Sequence, residues 1–83
     1  MMAERETGAK LRDWRHGAGL SEAKAAELVG CTQRTWHDWE AKGKTPEVDF
    51  AEAIERVTGG IVSIRDWVMS RRRKRARDRA KSA

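Results

Sequence analysis

An 83-residue chain with a net charge of +5 has room for one small domain and a binding surface, but little for a deep substrate cleft. One Cys rules out an internal disulfide framework, the longest apolar runs are far too short to span a bilayer, and no N-terminal apolar segment suggests secretion, so a cytoplasmic protein is expected. The charge is uneven: residues 71–83 hold eight Lys/Arg and one Asp, a net of +7, whereas residues 1–70 hold ten Lys/Arg and twelve Asp/Glu, a net of −2.

Residues 1–6 are polar and are expected to fray. Thr7 is a candidate cap for a first helix running to about His16, with Leu11 and Trp14 three apart on its inner side, and Gly17, Ala18 and Gly19 end it. Ser21 is a good N-cap for a second helix whose apolar side comes from Ala25, Ala26, Leu28 and Val29. Ala26 is small where another helix must cross closely. Gly30 can take the left-handed conformation that ends a helix without a Cβ penalty. Thr32 can cap a third helix that ends near Ala41, and Trp36 and Trp39, three apart, anchor that helix to a core. Gln33, Arg34, His37 and Asp38 then remain on its outer side. This is the plan of a DNA-reading helix-turn-helix, whose second helix offers its N-terminal turns to the major groove.

Lys42, Gly43, Lys44, Thr45 and Pro46 form a loop, and Pro46 suits the first turn of a fourth helix over about 47–58. Phe50, Ile54 and Val57 make its buried stripe, while Glu47, Asp49, Glu52 and Glu55 stay in water. Gly59 and Gly60 break the pattern, and Ile61 and Val62 form a short extended pair that closes the core. Ser63 with Asp66 three later has the form of a capping box, so a last helix is predicted from Ile64, with Trp67 and Val68 buried. From Ser70 the chain is dominated by Arg and Lys; it is expected either to stay disordered through charge repulsion or to extend the helix. The predicted fold is all-α: a compact bundle of four to five short helices over 7–69, with a basic tail over 70–83.

The series Gly19, Leu20, Ser21, Glu22; Ala26; Gly30, Cys31, Thr32; Trp36; Trp39, Glu40; Lys42, Gly43, Lys44; Pro46 resembles the helix-turn-helix regulators of the phage Cro and repressor type, over roughly residues 11–68. Ile54 to Gly60, with Asp66 and Trp67, look like the end of small Cro-like proteins. The chain departs from that pattern at Glu22, where the family often has a phosphate-bonding Gln and where a carboxylate would repel phosphate. It departs again at Trp36, which replaces a smaller β-branched residue. The resemblance implies double-stranded DNA as partner, base reading from Gln33, Arg34 and Asp38, and transcriptional regulation, with repression by promoter occupancy simpler than activation.

The chemistry of the residues agrees with that implication. Gln pairs with adenine N6 and N7, and Arg with guanine O6 and N7; Asp38 can accept from cytosine N4 or pair with Arg34 four residues back. His37 can reach a base or a phosphate. Thr32, Thr35, Lys42, Lys44 and Arg15 are the candidate phosphate contacts on the body, joined by Arg71, Arg72, Arg73, Lys74 and Arg75 in the tail. Trp36, Trp39 and Trp67 read as core rather than base-stacking residues, and Cys31 as a small core residue. One Cys and two His lack the spacing of a zinc site, and no nucleophile has an evident base, so no metal, cofactor, small-molecule substrate or catalysis is expected. A homodimer is expected on a palindromic site, paired around Ile61, Val62, Ile64 and Trp67. Two other functions share these features: an antitoxin-like or inhibitor module that binds a protein, and an RNA binder that works through the tail.

Overall fold

The computed structural model describes residues 6–72, which fold into five helices with no strand among them. Helix α1 spans Glu6–Gly17, α2 Glu22–Val29, α3 Gln33–Ala41 and α4 Val48–Val57. Helix α5 runs over 64–72 within the described residues. The fold is therefore all-α. The fraying expected at the extreme N-terminus, the order of the tail and the roles given to Arg73, Lys74 and Arg75 lie outside the described residues.

Local capping chemistry sets the boundaries of the two central helices. The Ser21 hydroxyl accepts from the Lys24 amide at 3.1 Å and opens α2. Gly30 closes it with φ +84°, which lets the Gly30 and Cys31 amides both donate to the Ala26 carbonyl, at 2.9 and 3.0 Å. Nothing stands within 4 Å of a Cβ built on Gly30, so an alanine there would suffer from backbone conformation alone, by about 1–2 kcal/mol. Two residues later the Thr32 hydroxyl accepts from the Thr35 amide at 3.1 Å and starts α3. The turn is thus closed at both ends by its own residues.

Two helix starts differ from expectation. Thr7 lies inside α1 and is buried; its hydroxyl donates to the Asp66 carbonyl at 3.1 Å and pairs with the Ser70 hydroxyl. It fastens α5 to α1 and is not a cap. Pro46 is buried two residues before α4, whose N-cap Glu47 makes no side-chain bond. The last helix starts as predicted: the Asp66 carboxylate accepts from the Ser63 amide at 2.9 Å, and the Asp66 amide donates to the Ser63 hydroxyl at 3.3 Å.

The core draws on every helix. Leu11, Ile54 and Val62 have no exposed surface, and Ala25, Ala26, Trp36, Trp39, Ala51 and Trp67 are buried beside them. Trp39 links two parts of this core, with ring centroids 5.8 Å from Trp36 and 5.6 Å from Phe50 in tilted arrangements that add about 0.5–1.5 kcal/mol each beyond area burial. Close approach of α1 to the end of α3 depends on Gly8. A Cβ there would sit 2.8 Å from the Trp39 carbonyl oxygen and 2.9 Å from that of Glu40.

Outside this core the expected burial fails at Leu28 of α2, which is exposed, at α5 and just before it. Val68 is exposed, as is Ile61, while Val62 and Trp67 are core residues of their own chain. The surface expected to pair two copies is therefore largely interior.

Candidate nucleic-acid interface

Helix α3 is held by one side and open on the other. Trp36 and Trp39 are buried, and Thr32, Gln33, Arg34 and His37 are exposed, with Thr35 and Asp38 intermediate. The four residues expected to read bases therefore lie within the first two turns of a short helix. The structure brings Gln33, Arg34 and His37 together on a face that the protein itself does not cover, with Asp38 largely covered at its edge.

Beneath that face lies a charged network. Arg15, near the end of α1, is buried, and its Nε and Nη2 donate to the two carboxylate oxygens of Glu40 at 2.7 and 3.0 Å. Its Nη1 donates to the Leu20 carbonyl at 3.0 Å, and its Nη2 lies 3.9 Å from the Glu22 carboxylate. The Trp36 indole N–H also donates to Glu40, so one carboxylate ties α3 to both α1 and its own core tryptophan. The Glu40 hydrogen bond holds the guanidinium above its ordinary range; burial opposes this, and the charges of Glu40 and Glu22 reinforce it. Arg15 was expected at a phosphate. Its Nε, Nη1 and Nη2 are instead engaged by Glu40 and the Leu20 carbonyl, because a buried guanidinium must be paired where it stands.

Asp38 also departs from expectation. It does not pair with Arg34; its carboxylate lies 3.8 Å from Lys42 Nζ and 3.9 Å from Lys44 Nζ. The loop folds back to allow this, since the Lys42 and Lys44 amides both donate to the Asp38 carbonyl, at 3.0 and 3.3 Å, around Gly43 with φ +68°. These long, exposed pairs are worth about 0–1 kcal/mol, so both lysines can exchange Asp38 for another anion. Arg34 has no ion-pair or hydrogen-bond partner among the described residues.

Glu22 meets the Arg15 guanidinium and the His37 imidazole. Besides Arg15, its carboxylate lies 3.1 Å from His37 Nδ1, across the turn from α2 to α3. Arg71 and Arg72 are exposed at the end of the described part of α5. Cys31 is partly buried against the core, and that burial pushes its thiol up, partly offset by the Cys31 and Trp36 amides. A small packing residue fits those surroundings better than a reactive thiol.

Glu40 and Gly8 hold the interface in place without standing out as site residues in the sequence. Glu40 had a usable signal: it lies four residues after Trp36, as Arg15 lies four after Leu11, so opposite charges fall on two buried stripes. Gly8 had none, because its need arises only when α1 meets α3.

Capped helices on either side of a glycine turn, with the second fixed to the core by one face and bare on the other, define a helix-turn-helix protein. A family model described as a helix-turn-helix domain matches residues 6–60, and the chain belongs to that family. No curated protein and no solved structure matches it. The matched region takes in α1 to α4 and stops short of α5, although Val62 and Trp67 belong to the same core. Among the described residues no group of three or more His, Cys, Asp or Glu is placed to hold a metal, and no helix is long and apolar enough to cross a membrane.

Proposed function

We propose that this protein is a sequence-specific binder of double-stranded DNA and a transcriptional regulator, a Cro-like repressor of phage or prophage genes that acts by occupying its operator. One observation carries the reading: the exposed face of α3 is made of Gln33, Arg34 and His37, with Asp38 beside them, on a helix locked from behind by Trp36, Trp39 and Glu40. Gln33 reads adenine and Arg34 reads guanine through bidentate bonds; Asp38 accepts from cytosine or holds the loop lysines. Thr32, Thr35, Lys42, Lys44, Arg71 and Arg72 contact phosphates, with Arg73, Lys74 and Arg75 of the tail. Arg15 leaves this group and serves the interior.

The folded unit over 7–69 supplies the reading helix, and the tail over 70–83 supplies charge that the body, at net −2 over residues 1–70, lacks. Two copies bind a palindromic site with reading helices about 34–36 Å apart, since one short helix gives too few base contacts for tight binding. The exposed Ile61, Val68 and Met69 replace the interior residues as the pairing surface.

Titrating the wild type and Arg34→Ala against the four base pairs at each operator position tests this function. Loss of Arg34 is expected to cost about 1–3 kcal/mol and to relax the preference at one position. An equal loss on every variant makes Arg34 a phosphate clamp, and no loss on any duplex removes α3 from DNA binding altogether.

A further inference from the structure

Glu22 looks at first like a defect in a DNA-binding surface. It opens α2 beside the exposed face of α3, and a lone carboxylate there repels phosphate. The structure gives it a different occupation. Its Oε2 is anchored from behind by the buried Arg15, 3.9 Å away, and the two carboxylate oxygens lie 3.1 and 3.3 Å from His37 Nδ1. These residues are fifteen apart in sequence and sit on either side of the turn.

A carboxylate has no proton to give, so this hydrogen bond exists only when Nδ1 carries one. Glu22 thereby fixes the tautomer of His37. The other nitrogen, Nε2, lies on the far side of the ring from Glu22. It has no hydrogen-bond partner among the described residues, and half of the side chain is exposed. In the neutral ring a protonated Nδ1 leaves Nε2 as a pure acceptor. An acceptor on the open face of α3, one turn after Gln33, complements an exocyclic amine in the major groove: adenine N6 or cytosine N4.

We propose that Glu22 is a positioning residue, which holds His37 by Nδ1 so that Nε2 is presented as an acceptor to an amine-bearing base. This rests on the reading of α3 as the DNA-contacting helix. It also accounts for the carboxylate, whose charge is engaged by Arg15 on one side and by an imidazole N–H on the other.

The tautomer can be measured without DNA. Nitrogen-15 NMR of the ring should show His37 protonated at Nδ1 and bare at Nε2 in the neutral state, with Glu22→Ala shifting the ring toward the Nε2–H form. On duplex DNA, Glu22→Ala and His37→Ala should each lose about three- to tenfold discrimination for adenine or cytosine at one position, the scale of a single hydrogen bond. In the His37→Ala background, Glu22→Ala should have no further effect on that preference. Glu22→Gln, whose amide oxygen still accepts from Nδ1–H, should retain it. Thermal melts of each variant separate lost reading from lost fold, and the NMR result on the wild type stands whatever the variants do. An Nε2–H tautomer in the wild type overturns the proposal. So does tighter binding of Glu22→Ala to every sequence with base preference unchanged, which would make Glu22 a simple repulsive charge. Should Arg34→Ala and His37→Ala both leave duplex binding untouched while the tautomer is as stated, α3 is not the reading helix and the reading of Glu22 falls with it.

Discussion

Replacing Glu40 with alanine should remove a large part of the stability of this domain. The carboxylate is nearly inaccessible, with 3% of its side chain exposed, and it accepts two bonds from Arg15 and one from the Trp36 indole. Its loss leaves a buried guanidinium with only the more distant Glu22 carboxylate, 3.9 Å away, and a buried N–H without an acceptor. Breaking a buried pair from one side costs about 3–5 kcal/mol. A chain of this size has roughly 4–12 kcal/mol in total, at 0.05–0.15 kcal/mol per residue. In melting temperature, at 4–8 °C per kcal/mol, the loss is roughly 12–40 °C. Circular dichroism melts and urea titrations of wild type, Glu40→Ala, Arg15→Met and the double variant Arg15→Met/Glu40→Met measure it. The double variant should be less damaged than the sum of the singles, because two apolar side chains leave no unpaired charge, though the Leu20 carbonyl and the Trp36 N–H still lose a partner. The reasoning fails if Glu40→Ala melts within about 4 °C of the wild type, or if the two single losses simply add.

Gly8→Ala should destabilise the domain by about 1–3 kcal/mol, because the atoms its Cβ would strike are backbone oxygens of α3 that cannot swing aside. Gly17→Ala, in open space at the end of the same helix, is the control, and its melt should be unchanged or slightly raised. Deleting residues 71–83 should weaken binding to all duplexes alike and flatten the slope of log K against log[salt] by up to about 7; an unchanged slope would take the tail off the DNA. Acid should loosen the contact between α5 and α1. Burial pushes the Asp66 carboxyl up, but the Ser63 amide and the Lys10 ammonium, 3.1 Å away, outweigh it and bring the group below its ordinary value. A lowered acid is stabilising once pH exceeds its unfolded value near 4, and that stability disappears as pH falls through the folded value. Melts of Asp66→Asn should therefore match the wild type more closely at pH 2–3 than at pH 7, and a constant difference would refute the assignment.

What the sequence revealed was local, and what it hid was tertiary. Ser21, Gly30, Thr32 and the Ser63–Asp66 pair act on amides within a few residues, so their types and spacing sufficed to place α2, α3 and the start of α5. Trp36 and Trp39 declared their buried face by helical period. Thr7 and Arg15 misled because a polar side chain on a buried stripe looks like a cap or a surface contact until its distant partner is known, here Asp66 and Glu40. Asp38 had two possible partners within reach, and the loop geometry around Gly43 chose the lysines over Arg34. The Glu22–His37 pair spans the turn itself, where no periodicity applies. Val68 followed Trp67 into the expected core, but adjacent helical residues point about 100° apart, and the core meets α5 on the side of Trp67.

The central claim is that the open face of α3 reads base sequence in duplex DNA. Selection from a random duplex pool, run in parallel with the wild type and with the Gln33→Ala/Arg34→Ala variant, tests it most directly. Both substitutions fall on exposed positions, so the variant should fold, and its melt checks that. The wild type should enrich a two-fold-symmetric motif with half-sites one duplex turn apart, and the variant should keep its affinity for bulk DNA while losing the motif. A wild type that enriches nothing, or a folded variant that enriches the same motif, would contradict the account.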